Sequence, residues 1–525
     1  MKPQNDQFNR KQIKSVPKET STEDDRKEPA TTPENPANID IFQSDVARVN
    51  IRFAFNLVDN KQPAEPVGQT DKKDELILQV HNITTIGDNK DDNQKIQSQG
   101  PTQGEIVEKD GLKAWCVLAA SFLSCLLLYG IGDSMGVYLI DMHREFRKAH
   151  EHQILTVVGL PFVMTTLVGP LSSFAYGMLG SSKAIGLGGL ITSAALCLQM
   201  FLPQLWQIGV AQSFVGVGCG VLVAPLFAAQ TEHFQRYSRV ALVLVSLGGT
   251  LGLVVLSPVN TVLIEAYNWR AAVLLLGAIA LNQIPLGLII TPNVSNKRAG
   301  RSSSTSADSG GDHHAIKDLF DCELAASATF IMMTASTVLF FAALVTMLSL
   351  LPSLVVLHGL DKIDGASLLS ITGVCSFGGT IATVVLTAVT PVTGTALTAV
   401  GEASCGAAML LLVFCRSFTT FAVTCALFGF GEGVATSILP VMYVELFGER
   451  RLHRAYGMSF FVVGVCLLAV PQLTGRVAEH SLITAFILGA AGNLIGSLLI
   501  ATVAIRLART QVQCNLALEN YDSQP

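Results

Sequence analysis

From Lys113 to Ile140 the chain stays apolar for longer than a soluble core helix needs. At about 1.5 Å of rise per residue the run overreaches a bilayer core of roughly 30 Å, so it predicts a tilted or bent membrane span. Similar runs recur at 153–177, 183–202, 206–229, 239–264 and 270–291, stop, and resume at 326–358, 364–389, 394–415, 418–443, 455–478 and 482–506. Between the two sets, 292–325 is a polar Ser/Gly-rich linker containing RAGRSSSTSADSGGDHH, which cannot span. The pattern predicts an all-α membrane protein of twelve transmembrane helices in two six-helix halves, 110–291 and 326–507. Residues 1–109 are polar and predict a disordered tail, interrupted by apolar patches at 51–58 and 76–80; residues 508–525 predict a short polar tail.

Composition sharpens this reading. With 50% hydrophobic and 14% charged residues and a mean hydropathy of +0.46, a 525-residue chain is too apolar for a soluble protein. A net charge of −5 gives no nucleic-acid footprint. The eleven cysteines lie mostly in or beside apolar runs, with no disulfide or metal spacing, and read as small packing residues. No early apolar core precedes Gln103, so the first span is also the expected insertion signal. Basic residues set the orientation: with the N-terminus inside, twelve Lys and Arg fall in inner segments and seven in outer ones. Both termini are therefore expected in the cytosol, which leaves the sequons at Asn82 and Asn293 unused.

The charges inside the spans carry the candidate chemistry. Asp133 sits among Gly130, Gly132 and Gly136, where small residues let another helix approach. It is either part of a transport path or a carboxylate wetted from outside. Glu432, in FGFGEGVATSILP, is about midway along the tenth run. An unpaired carboxylate there costs roughly 2.5–3.5 kcal/mol on insertion scales, so it either faces a cavity or is a neutral acid bonded to a neighbouring helix. Glu402, in AVGEASCG, reads as packing. Arg270 and Arg476 lie at the outer ends of spans, where they either meet an anion or snorkel to headgroups. Gln212, Asn260, Asn282 and Asn493 are expected to bond between helices, and Tyr129, Phe428, Phe430 and Phe460 either line a path or pack. No nucleophile with a base, metal cluster or phosphate loop is present, so no enzyme, cofactor or metal is implied.

Several motifs resemble a known family, the monocarboxylate-transporter-like (solute carrier 16 type) branch of the major facilitator superfamily. Asp110-Gly111 followed by Trp115 is similar to that family's entry to the first span. Glu232 through Arg236, Ala241, Gly248 and Gly252 is similar to its motif opening the fifth. Ser257-Pro258-Val259-Asn260, Asn268-Trp269-Arg270-Ala271, Leu446-Phe447-Gly448-Glu449-Arg450 and Pro471 to Arg476 continue the likeness over 110–507. The resemblance implies a secondary transporter of a small organic solute, working by alternating access in the plasma membrane. It also implies proton symport as an option and, for some members, a single-span glycoprotein chaperone. It makes Glu232, Arg236, Arg239, Glu445 and Arg450 a cytosolic gate, the alternative for the arginines being simple orientation.

The chain departs from the family where carboxylate transport is concerned. Asp133 stands where proton-coupled members have a lysine, and Ser376 and Thr380 stand where they have an aspartate and an arginine one turn apart. A carboxylate substrate needs a fixed cation, whereas an acid there repels it unless protonated. Asp133, Glu432, Ser376 and Thr380 are thus the expected substrate or coupling residues, for a cationic or zwitterionic solute or a proton. A monocarboxylate transporter with a rearranged site, and a non-transporting membrane receptor or scaffold using the long N-terminal tail, are the alternatives.

Overall fold

The computed structural model describes residues 110–147, 151–291 and 322–522. These belong to one compact unit, Ile77–Pro525. The predicted tail 1–109 and most of the 292–325 linker, with both sequons, lie outside the described residues.

The apolar runs fold as helices because, in hydrocarbon, each backbone N–H and C=O must find its partner within the segment. In the first half α1 (Leu112–Asp133) passes through a 3₁₀ stretch, Ser134–Tyr138, into α2 (Leu139–Glu145). Then come α3 (Glu151–Leu167), α4 (Gly169–Gln199), α5 (Leu205–His233), α6 (Ser238–Tyr267), α7 (Trp269–Ala280) and α8 (Gln283–Ile289). The second half comprises α9 (Cys322–Ala326), α10 (Ala328–Leu357), α11 (Lys362–Val389), α12 (Gly394–Leu412), α13 (Phe418–Phe447), α14 (Leu452–His480) and α15 (Leu482–Asp522).

Eleven of the described helical stretches are long and apolar enough to cross a membrane, and Gln153–Leu167 is a shorter apolar one. Gly180 resolves the second and third runs. Its φ of 74° and ψ of 171° interrupt α4, so the second run is α3 plus the start of α4 and the third is the remainder. Only glycine holds that conformation without a Cβ clash. The sixth run is likewise broken at Leu281-Asn282 into α7 and α8. The last helix continues to Asp522, so the predicted polar tail from 508 stays helical over most of its length.

Small residues set how closely the helices pack, since lipid offers no hydrophobic force between them. A Cβ on Gly252 would lie 2.1 Å from the Leu126 carbonyl oxygen and one on Gly248 2.4 Å from that of Phe122, which presses α6 onto α1. Buried polar pairs add specificity. Gln283 donates to the Ser124 carbonyl at 2.9 Å and accepts from the Ser124 hydroxyl, and Gln230 donates to the Ser121 hydroxyl at 2.8 Å.

The contacts joining the two halves gather between the face where α1 begins, called here the proximal face, and mid-span. At Gly169 an added Cβ would lie 2.2 Å from the Gly457 oxygen, so α4 and α14 touch backbone to backbone. Ser173 donates to the His453 carbonyl at 2.5 Å, and the Tyr176 ring lies 4.9 Å from that of His453. Deeper in, aromatic pairs cross between the halves, Phe227 to Tyr456 at 5.6 Å and Phe162 to Phe341 at 6.4 Å, and Phe341 continues the seam within the second half to Phe460 at 5.7 Å.

Candidate functional site

Gly429, Gly433 and Gly379 create the crossing at which Glu432 sits. Cβ atoms there would lie 2.1 Å from the Thr372 oxygen, 1.9 Å from the Ser376 oxygen and 2.2 Å from the Phe430 oxygen respectively, so α11 and α13 meet along their backbones. The Thr436 hydroxyl donates to the Glu432 backbone carbonyl at 2.8 Å, and the Ser376 and Thr436 hydroxyls lie in reach of the Glu432 carboxyl. Thr380 approaches the Ser376 and Gly433 carbonyls at 3.1 and 3.2 Å and the Thr250 hydroxyl of the other half at 3.4 Å. Three of the four expected substrate or coupling residues, Glu432, Ser376 and Thr380, therefore share one crossing beside the joint between halves.

Helical phase orients Glu432. At about 100° per residue, Val423, Leu427 and Phe430 form one stripe, and all three are exposed. Glu432 lies well off that stripe, on the face of Tyr443 eleven residues later, which is fully buried with its ring 5.1 Å from that of Tyr456 on α14. The acid thus points into the bundle, while Phe430 takes the outer stripe instead of an inner path. Asp133 ends α1, where the helix tightens to 3₁₀, but its side chain lies outside the described residues. Its neighbour Ser134 accepts from Asn260 at 2.7 Å.

The gate candidates divide. Arg239 of α6 pairs with Glu445 of α13 at 3.2 Å and also donates to the Val392 carbonyl. Glu445 in turn accepts the Gly394 and Thr395 N–H groups, at 2.9 and 3.3 Å, and so caps α12. The favourable charge at a helix N-terminus is thereby tied to an arginine from the other half. Glu232 accepts from the Tyr176 hydroxyl. Arg236 lies over the Tyr237 ring at 5.5 Å, and Arg450 is exposed.

Arg270 has a structural environment that the sequence did not indicate. It binds Glu145 at 2.7 and 3.1 Å and donates to the Gln199, Met200 and Leu202 carbonyls, while Trp269 donates to Glu145 at 2.6 Å. All three guanidinium nitrogens are engaged, so this side chain clamps the end of α4 to α7. Arg476 is exposed near the far end of α14.

Among the span amides, Asn260 bonds between helices as expected, and Gln212 reaches Gln199 at 3.3 Å. Asn282 does not. It is exposed and bonds only the Ile279 carbonyl in its own turn, because the α7–α8 break turns it outward and buries Gln283 instead. Asn493 is buried with neither amide atom paired, contrary to the expectation.

Sequence reasoning missed two features. Asp110 accepts the Gln235 and Arg236 N–H groups at 3.2 and 3.1 Å while Trp115 sets its edge on Phe234 at 5.5 Å, so the acid-Gly-Trp motif fastens the start of α1 to the α5–α6 loop. Tyr129, Tyr443 and Tyr456 meet at the joint between halves. The spacing of Tyr456 and Phe460, stacked at 4.3 Å one turn apart, was the available signal.

Residues 117–471 match the family model described as Major Facilitator Superfamily. Monocarboxylate transporter 12 of Rattus norvegicus is 25% identical over 436 residues, 78% of this chain and 89% of the relative. Monocarboxylate transporter 2 of Meriones unguiculatus is 25% identical, over 71% and 79% of the two chains. Among solved structures, the E. coli fucose:proton symporter aligns with a TM-score of 0.57 at 15% identity, covering 73% of this chain and 97% of that one. A proton:xylose symporter aligns at 0.53 and 11%, covering 73% and 94%.

Proposed function

The chain belongs to the major facilitator superfamily and is a transporter related to the monocarboxylate transporters, and we propose that it moves a cationic or zwitterionic small organic solute by alternating access, with Glu432 as the residue that selects it. The single observation that carries this reading is the imbalance of mid-span charge. Asp133, Glu402 and Glu432 lie in span interiors, whereas the apolar runs hold no Lys or Arg away from their ends. A buried acid without a base favours a positive ligand group or takes up a proton. Ser376, Thr380 and Thr436 supply hydroxyls around Glu432 that serve either role, so proton symport belongs to the same proposal. Asp133 is proposed as the partner acid on α1, across the joint from Glu432.

The proximal face is assigned to the cytosol on the basic-residue count, with both termini there and the plasma membrane as the working location. The cross-half contacts then make this the state closed to the cytosol, with the Arg239–Glu445 pair as its latch. The halves 110–291 and 326–507 are the two moving bodies of the proposal. A single-span chaperone remains part of it only by family resemblance.

Proteoliposome uptake of labelled solutes of one size and different charge tests the substrate class. Accumulation of cationic or zwitterionic solutes above lactate and pyruvate is expected. The names of the relatives favour a second reading, monocarboxylate transport through a rearranged site. Saturable lactate or pyruvate uptake, driven by a pH gradient and lost on replacing Arg476, would establish that reading instead.

A further inference from the structure

Glu402 is 2% exposed on α12, where α10 and α15 close over it. The Ser336 hydroxyl oxygen of α10 lies 2.7 Å from Glu402 Oε2 and 2.8 Å from the Gly496 carbonyl oxygen of α15. Both are hydrogen-bond distances, and a hydroxyl has one hydrogen. With Glu402 ionised, that one hydrogen faces two acceptors and must leave one of them short. A protonated carboxyl instead donates to Ser336 and frees the Ser336 hydrogen for Gly496, so both short contacts are hydrogen bonds.

Charge leads independently to the same place. The described spans around Glu402 bring no cation: α10 and the apolar part of α15 carry no Lys, Arg or His away from their ends. Cys405, on the same helix, is within electrostatic range of Glu402 and also of Glu432 on α13. An anion buried at Glu402 would face no counter-charge among the described residues, which is strongly unfavourable.

We propose that Glu402 is a proton-binding site, separate from the Glu432 crossing, whose protonated carboxyl donates to Ser336 and so joins α10, α12 and α15. Deprotonation turns the Ser336 hydrogen toward the new carboxylate and takes it from Gly496, so loss of the proton loosens the α10–α15 contact. Asn493 is one turn before Gly496 on the same face of α15, buried with both amide atoms unpaired. It offers the polar group through which a proton reaches or leaves the seam once the helices part.

Infrared difference spectroscopy of the full-length protein in lipid nanodiscs tests this without a substrate, so its failure is distinguishable from failure of the transport proposal. The wild-type minus E402Q spectrum should contain a carboxylic C=O band that shifts in heavy water. A carboxylate pair of bands in its place would overturn the proposal. In thermal melts E402Q, whose amide still donates to Ser336, should unfold close to the wild type, and E402A several degrees lower. Sodium-specific stabilisation of the wild type that E402Q abolishes would also overturn it, since an ionised carboxylate would then be holding a metal cation.

Discussion

Replacing Glu445 by Gln removes the charge that holds Arg239 while leaving an amide oxygen able to accept from Gly394. The perturbation is therefore aimed at the link between halves more than at the α12 cap. The side chains of Arg239 and Glu445 are 36% and 18% exposed, so the pair is neither a surface ion pair, worth about 0–1 kcal/mol, nor fully buried, where breaking it costs about 3–5 kcal/mol. A loss of about 1–2 kcal/mol from the closed state follows, or about a 5- to 30-fold shift toward opening at the proximal face. Spin labels at Gln235 and Thr390, one on each half near the latch, read this as growth of a longer-distance population in double electron–electron resonance. R239Q should act in the same direction, and the double variant should shift little further than either single one, because the two share one interaction. Unchanged distances in both variants, or fully additive shifts, would refute the latch.

Other consequences are local and can be read without a substrate. Gly433→Ala puts a methyl where the Ser376 oxygen stands 1.9 Å away, so it should cost about 1–3 kcal/mol and lower the melting temperature, whereas Gly475→Ala meets no atom within 4 Å and should melt close to the wild type. Asp110→Ala leaves the Gln235 and Arg236 amides without their acceptor; hydrogen exchange at those two amides should quicken while the α6 core stays protected. Glu145→Gln weakens the hold on Arg270 and should destabilise by about 1–3 kcal/mol in melts, with Arg270 still donating to the end of α4.

Span number and order were legible because a bilayer imposes a minimum length on apolar segments and excludes the Ser/Gly-rich linker. Where helices break was less so: Gly180 looks like any other glycine of a membrane helix until its φ is seen, and the 3₁₀ stretch after Asp133 has no local composition that demands it. The Glu432 crossing was partly legible, since glycines on both sides of an acid signal close packing. That Ser376 and Thr380 face it needed the α11–α13 register, which only the interlocking of Gly379, Gly429 and Gly433 fixes. Asn282 and Gln283 are adjacent amides of equal apparent merit, and the turn between α7 and α8 decides which is buried. Arg270 looked available because its partner, Glu145, is remote in sequence and lies at the end of a different span.

The charge-selection account stands on Glu432, and counterflow into proteoliposomes tests it most directly. The solute that the wild type accumulates best is exchanged by wild type and E432Q, both confirmed as folded by melting. The account predicts that this solute carries a positive group and that E432Q loses most of the exchange. Equal exchange by both proteins, or a best solute that is a simple monocarboxylate, would contradict it.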